Sequence, residues 1–303
     1  MLIHLPIAQV AVDPLIVASI GALVGFLSGL FGVGGGFLLT PLLIFYGVPP
    51  AVAASTQANQ VMATSIAGAA SHFQERGVDV RLGSIMLAGG LAGSSAGVGV
   101  FSLLRHLGVI DTTVSFLYLI FLSLIGGLMF WESLRAVRSG EEDSDRRRAR
   151  IRAWMRALPH KQRFPRSGLY ISIWPPIAIG FFVGLLAAVL GVGGGFILAP
   201  AMVYLLGVPT RVMVGTSLFQ IVFLTGFVTF LQASFNGTVD LVLAFILMIG
   251  GVVGARAGAA AGRRLRGSQL RLLLAIVVLG LAARLGYDLF WAPKPEYRLE
   301  QAS

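Results

Sequence analysis

The sequence predicts an all-α polytopic membrane protein made of two homologous repeats, and three observations predict it. The 303 residues are 56% hydrophobic and only 12% charged, with a mean hydropathy of +0.85. A soluble domain carries about 25% charged residues, so too few charges remain here to coat a soluble globule. About eight apolar stretches reach the length of roughly 20 residues that a transmembrane helix needs. Finally, the landmarks of the first half recur in order in the second.

The apolar spans read 14–46, 50–72, 82–104 and 113–134, then 171–207, 210–235, 240–262 and 270–291. The opening MLIHLPIAQVAVDP has no basic n-region and no small-residue cleavage site, so the first apolar segment is expected to stay in the mature chain. Between the fourth and fifth spans lies the long hydrophilic stretch that divides the chain. The divisions expected are repeat 1 over 1–134, a basic linker over 135–169, repeat 2 over 170–291 and a tail over 292–303. Within the linker, Ala149 to Leu158 is expected to form a short basic interfacial helix with Trp154 and Met155 toward lipid.

The net charge of +10 does not mark a nucleic-acid binder, because its distribution follows the membrane. Eleven of the 23 Lys and Arg lie between Glu132 and Leu169, and Arg263, Arg264, Arg266 and Arg271 form a second cluster. Such clusters mark cytoplasmic loops under the positive-inside rule. The absence of cysteine excludes disulfides, thiolate catalysis and Cys-based metal sites. No Walker motif, zinc pattern or nucleophile–base pairing is present, so no catalytic residue, metal or cofactor is expected. The partners are instead the lipid bilayer and a small anion, and a homo-oligomer stays open.

Span 14–46 is 33 residues long, more than one crossing needs, and G-V-G-G-G lies inside it at 32–36. The same run returns at 191–195, each time followed by F-x-L-x-P. Gly32 matches Gly191 and Pro41 matches Pro200 at an offset of 159; Thr56 matches Thr216 and Gln60 matches Gln220 at 160; Gly89, Gly93 and Gly97 match Gly250, Gly254 and Gly258 at 161. A slowly drifting offset with identical landmarks marks a duplicated unit, and duplicated units are common in secondary transporters. With four simple spans each, the repeats are parallel and the second arginine cluster falls outside. If each G-V-G-G-G turns the chain back as a hairpin, the crossings per repeat become odd, the copies are inverted and both clusters lie inside. Inversion is the reading favoured.

Glycines cost helix stability of about 1 kcal/mol each relative to Ala, so four in five positions break a helix. Within a bilayer a break is tolerated only when buried in protein or lining a wet cavity. The helical piece after each break starts with unpaired N–H groups and the positive end of its dipole, which suits an anion. Gly34, Gly35 and Gly36, with Gly193, Gly194 and Gly195, are therefore candidate substrate contacts, the alternative being a plain packing turn. A dinucleotide site is excluded, because neither a βαβ unit nor a following acidic residue surrounds the glycines.

Next comes S-T-Q-A-N-Q at 55–60, answered by T-S-L-F-Q at 216–220. Thr56, Asn59 and Gln60 share one helix face, and Thr216, Ser217 and Gln220 join them as candidates. Buried amides and hydroxyls require partners, either a ligand or a neighbouring helix. The G-x3-G-x3-G ladders are a face for close helix packing. Arg256, alone deep in the seventh span, either meets the anion or snorkels to the nearby basic end. No span carries an Asp or Glu near its centre, so no carboxylate proton relay is evident.

The doubled G-V-G-G-G-F-x-L-x-P, the following G-V-P and A-S-T-Q-A-N-Q resemble the sulfite exporter TauE/SafE family of bacterial permeases, over nearly the whole chain outside the linker and tails. The resemblance implies export, or sometimes uptake, of small sulfur-containing or organic anions such as sulfite and sulfonates across a bacterial inner membrane. An anion channel and an uptake permease for an organic acid are the alternatives.

Overall fold

The computed structural model describes residues 3–31, 36–74, 77–138, 159–262 and 267–291. Among the described residues, ten α-helices follow one another in two sets of five. The first set is α1 (Pro14–Phe31), α2 (Gly36–Phe45), α3 (Pro50–Gln74), α4 (Val80–His106) and α5 (Ile110–Arg138). The second is α6 (Trp174–Leu190), α7 (Gly195–Pro200), α8 (Thr210–Leu231), α9 (Leu241–Gly262) and α10 (Gly267–Phe290). Each set is preceded by a short antiparallel hairpin: β1 (Ile3–His4) with β2 (Ala11–Val12), and β3 (Lys161–Phe164) with β4 (Leu169–Ser172). The hairpins depart from an all-helical chain, and the second straddles the expected boundary, with β3 in the linker and most of β4 in repeat 2. The expected interfacial helix, Ala149 to Leu158, lies outside the described residues.

Among the described residues, five helical segments are long and apolar enough to cross a membrane, and α1, α2 and α6 are shorter apolar helices. The protein is thus a multi-pass helical membrane protein. The expected spans 14–46 and 171–207 are each divided into two helices, and α3 is diluted by its polar cluster.

Local chemistry sets the helix ends. Pro14 opens α1 behind Asp13, whose Oδ1 accepts from Leu15 N at 2.9 Å. In α6, prolines at the first turn need no N–H partner. After Pro200 the helix widens into a π-helical turn, Ala201–Leu206, which ends at Gly207 in the left-handed region.

Three contacts fix how the helices run. Asp13 N donates to Tyr46 Oη at 3.2 Å, so the end of α2 lies beside the start of α1 and the pair doubles back. Asp79, after α3, meets Thr216, early in α8; Asp240, after α8, meets Thr56, early in α3. Hence α3 and α8, which occupy equivalent places in the two sets, are antiparallel. The outer pairs cross between sets, because α1 packs along α9 and α4 along α6. A Cβ on Gly21, Gly25 or Gly29 would strike Leu247, Gly251 or Ala255 in turn. Both numbers climb together, so α1 and α9 are parallel; Gly89, Gly93 and Gly97 climb α6 in the same way.

Asp79 and Asp240 lock the ends of this arrangement, and both are buried. Asp79 Oδ1 caps α4 through Leu82 N at 3.1 Å, while Oδ2 accepts from Ser167 N and Oγ at 3.0 and 2.7 Å. Asp240 Oδ1 caps α9 through Val242 N and Leu243 N, both at 3.1 Å. Its Oδ2 accepts from Ile7 N and Ala8 N, in the first hairpin, at 3.0 and 3.3 Å. Each repeat's hairpin therefore seals the capped helix of the other repeat, with charge-assisted hydrogen bonds.

Candidate functional site

The start of α2 and the second helix break meet at Val61 of α3. The second, residues 191–194, follows α6 with Gly191, Gly193 and Gly194 at φ of +68°, +68° and +75°. Residues 191–195 are all buried. On the first break, Gly36 is buried at the start of α2, whereas Gly34 and Gly35 lie outside the described residues. A Cβ on Gly36 would come within 2.3 Å of Val61 Cγ2 and 3.2 Å of Val192 O; one on Gly193 would come within 2.5 Å of Val61 Cγ1. Val61 of α3 thus lies between Gly36 and the second break. The ring of Phe37 lies 4.2 Å, centroid to centroid, from Phe196, its counterpart in the other repeat.

The direction of each missing Cβ bears on what the glycines do. Gly194 would drive its Cβ to 2.1 Å from Val183 Cγ1, and Gly191 to 1.8 Å from Ala54 O. These side-chain directions point into packed protein, and left-handed φ adds its own demand for glycine. Gly195 begins α7, whose N-terminus has no side-chain cap.

Gln60 and Gln220 lie on α3 and α8, buried at 1% and 0% exposure. Gln60 faces Gly251, where a Cβ would meet its Nε2 at 2.6 Å; Gln220 faces Gly90 at 3.5 Å, and Gly90 and Gly251 are themselves equivalent. Gln220 Nε2 donates to Met86 O at 3.4 Å. Its Oε1 has no hydrogen-bond partner, and neither does Gln60 Nε2. A buried amide group without a partner costs about 1–3 kcal/mol, so this pair is where a polar solute has something to gain.

The remaining expected residues are more dispersed. Thr56 and Thr216 are buried a turn nearer the two ends, each accepting from the backbone of Asp240 or Asp79. Ser217 donates to Val214 O, and half-buried Asn59 donates to Thr56 O. Arg256 is exposed on α9.

A second polar group escaped the sequence reading as a site. Thr40 donates to Gln57 Oε1 at 2.6 Å, and Gln57 Nε2 donates to Tyr118 Oη at 3.1 Å and Leu190 O at 3.4 Å. Tyr118 Oη also donates to Leu190 O. Gln232 Nε2 donates to Ala188 O at 2.9 Å. The last carbonyls of α6, left open by the break, are thereby satisfied by side chains from three other helices or their extensions. At the offsets of the repeat, Thr40, Gln57 and Tyr118 correspond to Ala199, Ser217 and Leu279, so this grip is one-sided. Gln57 lay in the quoted motif; Tyr118 carried no signal short of the fold.

The chain is similar to known membrane proteins over most of its length. The family model described as "Sulfite exporter TauE/SafE" matches residues 17–285. The chain is 29% identical over 271 residues to "Probable membrane transporter protein YjnA" of Bacillus subtilis (strain 168), covering 86% of this chain and 94% of that protein. It is 27% identical to "Probable membrane transporter protein YunE" of the same strain, over 90% and 97% of the two chains. Similarity extends to "Probable membrane transporter protein MJ0441" of Methanocaldococcus jannaschii, at 23% identity over 93% and 98%. No solved structure matches.

Proposed function

This chain belongs to the sulfite exporter TauE/SafE family, and from that premise we propose that it exports a small anion. It is a membrane transporter, as its relatives' names also indicate. In our reading it is a secondary transporter of sulfite or an organosulfonate, bound between two inverted repeats at the meeting of the glycine breaks. The observation that carries this reading is the pair of buried glutamines, one per repeat, each with an unpaired amide atom. The substrate contacts are Gln60 and Gln220 with the backbone of 34–36 and 193–195. Thr56, Asn59, Thr216 and Ser217 stand behind them.

The antiparallel run of the equivalent helices α3 and α8 supports inversion, since the two-fold relating them then lies across the helices. One hairpin, α1–α2 or α6–α7, enters from each face. Secondary transporters built this way carry their sites at the junction of broken helices. The positive-inside rule assigns the linker and the 263–271 loop to the cytoplasm of a bacterial inner membrane. An interior-negative potential contributes about 2.3 kcal/mol per charge per 100 mV, which drives an anion outward without a proton site.

Counterflow of labelled sulfite in proteoliposomes tests the reading. A carrier shows saturation and counterflow, whereas a channel shows neither. Gln60→Ala and Gln220→Ala should each lower that flux at least tenfold at normal protein yield. If both variants fail to accumulate, the glutamines are helix glue and the site lies elsewhere.

A further inference from the structure

We propose that the β3–β4 hairpin binds the headgroup of an anionic phospholipid, and that the bound lipid pins this hairpin over Asp79.

The alternation of the two strands makes the case. Lys161 and Arg163 lie two residues apart, and Arg163 pairs with Tyr170, so the three share one side of the ribbon. All three are exposed. On the other side, Phe164 and Ile171 are buried, and beneath the turn Asp79 accepts from Ser167 N and Oγ. Arg166, in the turn, is exposed and donates to Val78 O. Arg81, exposed in the first turn of α4, donates from Nη1 to Arg163 O at 3.4 Å. Four cations are thereby tied to one patch.

No counter-charge stands there among the acids whose side chains are described. Asp79 is buried and taken up by Leu82 N and Ser167. Asp240, Asp13 and Asp111 lie at the opposite end of the molecule, where they meet Thr56, Tyr46 and Ala51. Asp288 is at that end too, since Phe290 packs on Phe116 near the start of α5.

The first hairpin shows that the cations are surplus to the seal. It covers Asp240 through Ile7 N and Ala8 N as the second covers Asp79, yet residues 1–12 contain no Lys or Arg. Sealing a buried aspartate therefore requires no positive charge, and the charges of the second hairpin answer to a partner.

Position identifies that partner. Asp79 caps α4, one of the helices long and apolar enough to cross a membrane, and one residue separates β4 from α6. The hairpin thus stands where α4 leaves the hydrocarbon, at headgroup depth. Tyr170 and Trp174, exposed at 57% and 52%, are the amphipathic rings that settle at this depth. A dissolved anion or an acidic protein meets the charges and leaves the rings unused. An anionic lipid uses both, its phosphate on the guanidinium and ammonium donors and its acyl chains beside the rings.

Thermal unfolding of the purified full chain in neutral detergent tests the site, with phosphatidylglycerol, phosphatidylcholine or glycerol 3-phosphate added. The expected result is a melting temperature raised by phosphatidylglycerol alone. Each cation near an anionic surface is worth a factor of about five. Lys161→Gln/Arg163→Gln should therefore raise the half-maximal phosphatidylglycerol concentration about thirtyfold. Lys161→Gln alone should raise it about fivefold, and it decides the matter if the double variant does not fold. Arg105→Gln, which removes an exposed cation at the other end of α4, should leave it unchanged. The proposal is overturned if the Lys161 and Arg163 variants respond as wild type does, or if Arg105→Gln loses as much. Equal stabilisation by phosphatidylcholine also overturns it, and stabilisation by glycerol 3-phosphate would make the patch a site for soluble phosphates instead.

Discussion

At the scale of single residues, the glycine breaks impose two separate demands that mutagenesis can split. Gly193 has a left-handed φ and a Cβ position 2.5 Å from Val61 Cγ1. The backbone term costs about 1–3 kcal/mol for a non-glycine residue, and the clash adds an overpacking term of similar size. Gly193→Ala should lower the melting temperature in detergent, and Val61→Ala in the same chain should restore part of the loss, because it relieves the clash but not the φ. If Val61→Ala restores nothing, Val61 is not the obstacle. The breaks themselves were legible in the sequence, because five-residue glycine runs admit few other readings. The direction of each missing Cβ was not, since it depends on Ala54 and Val61, brought in from α3, and on Val183, two turns back along α6. Asp79 and Asp240 were passed over for a related reason: a carboxylate near a span's end looks solvated until a hairpin from the other repeat is seen to cover it.

Helices pair here by backbone approach more than by apolar stripes. A Cβ on Gly93 would sit 1.9 Å from Phe181 O, while Gly99, on the same helix, has nothing within 4 Å of its Cβ position. Gly93→Val should abolish accumulation of folded protein, and Gly99→Val should leave it near normal, as read by size-exclusion fluorescence. Equal yields would show that α4 and α6 tolerate separation. The sequence announced these packing faces through their period of four, yet gave no partner for them. A smooth helix face fits any other smooth face, and the choice of α6 for α4 and α9 for α1 is made by the whole arrangement. The doubling back of α1 on α2 was an inference from span length and charge; in the structure it hangs on contacts such as that between Asp13 and Tyr46, 33 residues apart.

On the scale of the whole molecule, orientation is the property to test. Cysteines at Ser144 and Ser268 should both be blocked only by reagents that enter the cell, with the termini on the opposite side. Labelling of Ser268→Cys alone from outside would require parallel repeats. Duplication is a reading of the sequence, where identical landmarks recur at offsets of 159 to 161. What it left open was that neither repeat completes its own packing. That exchange of partners has a consequence for biogenesis. Gly251 lies 226 residues downstream of Gly25, so at about 5–20 residues per second α1 waits roughly 10–45 s in the bilayer before its mate is translated. For that interval the nascent chain holds an open glycine furrow toward lipid. A ribosome halted after α8 leaves a product in which α4 and α6 are already joined while α1 is still single, a form that membrane quality control can tell apart from the finished protein.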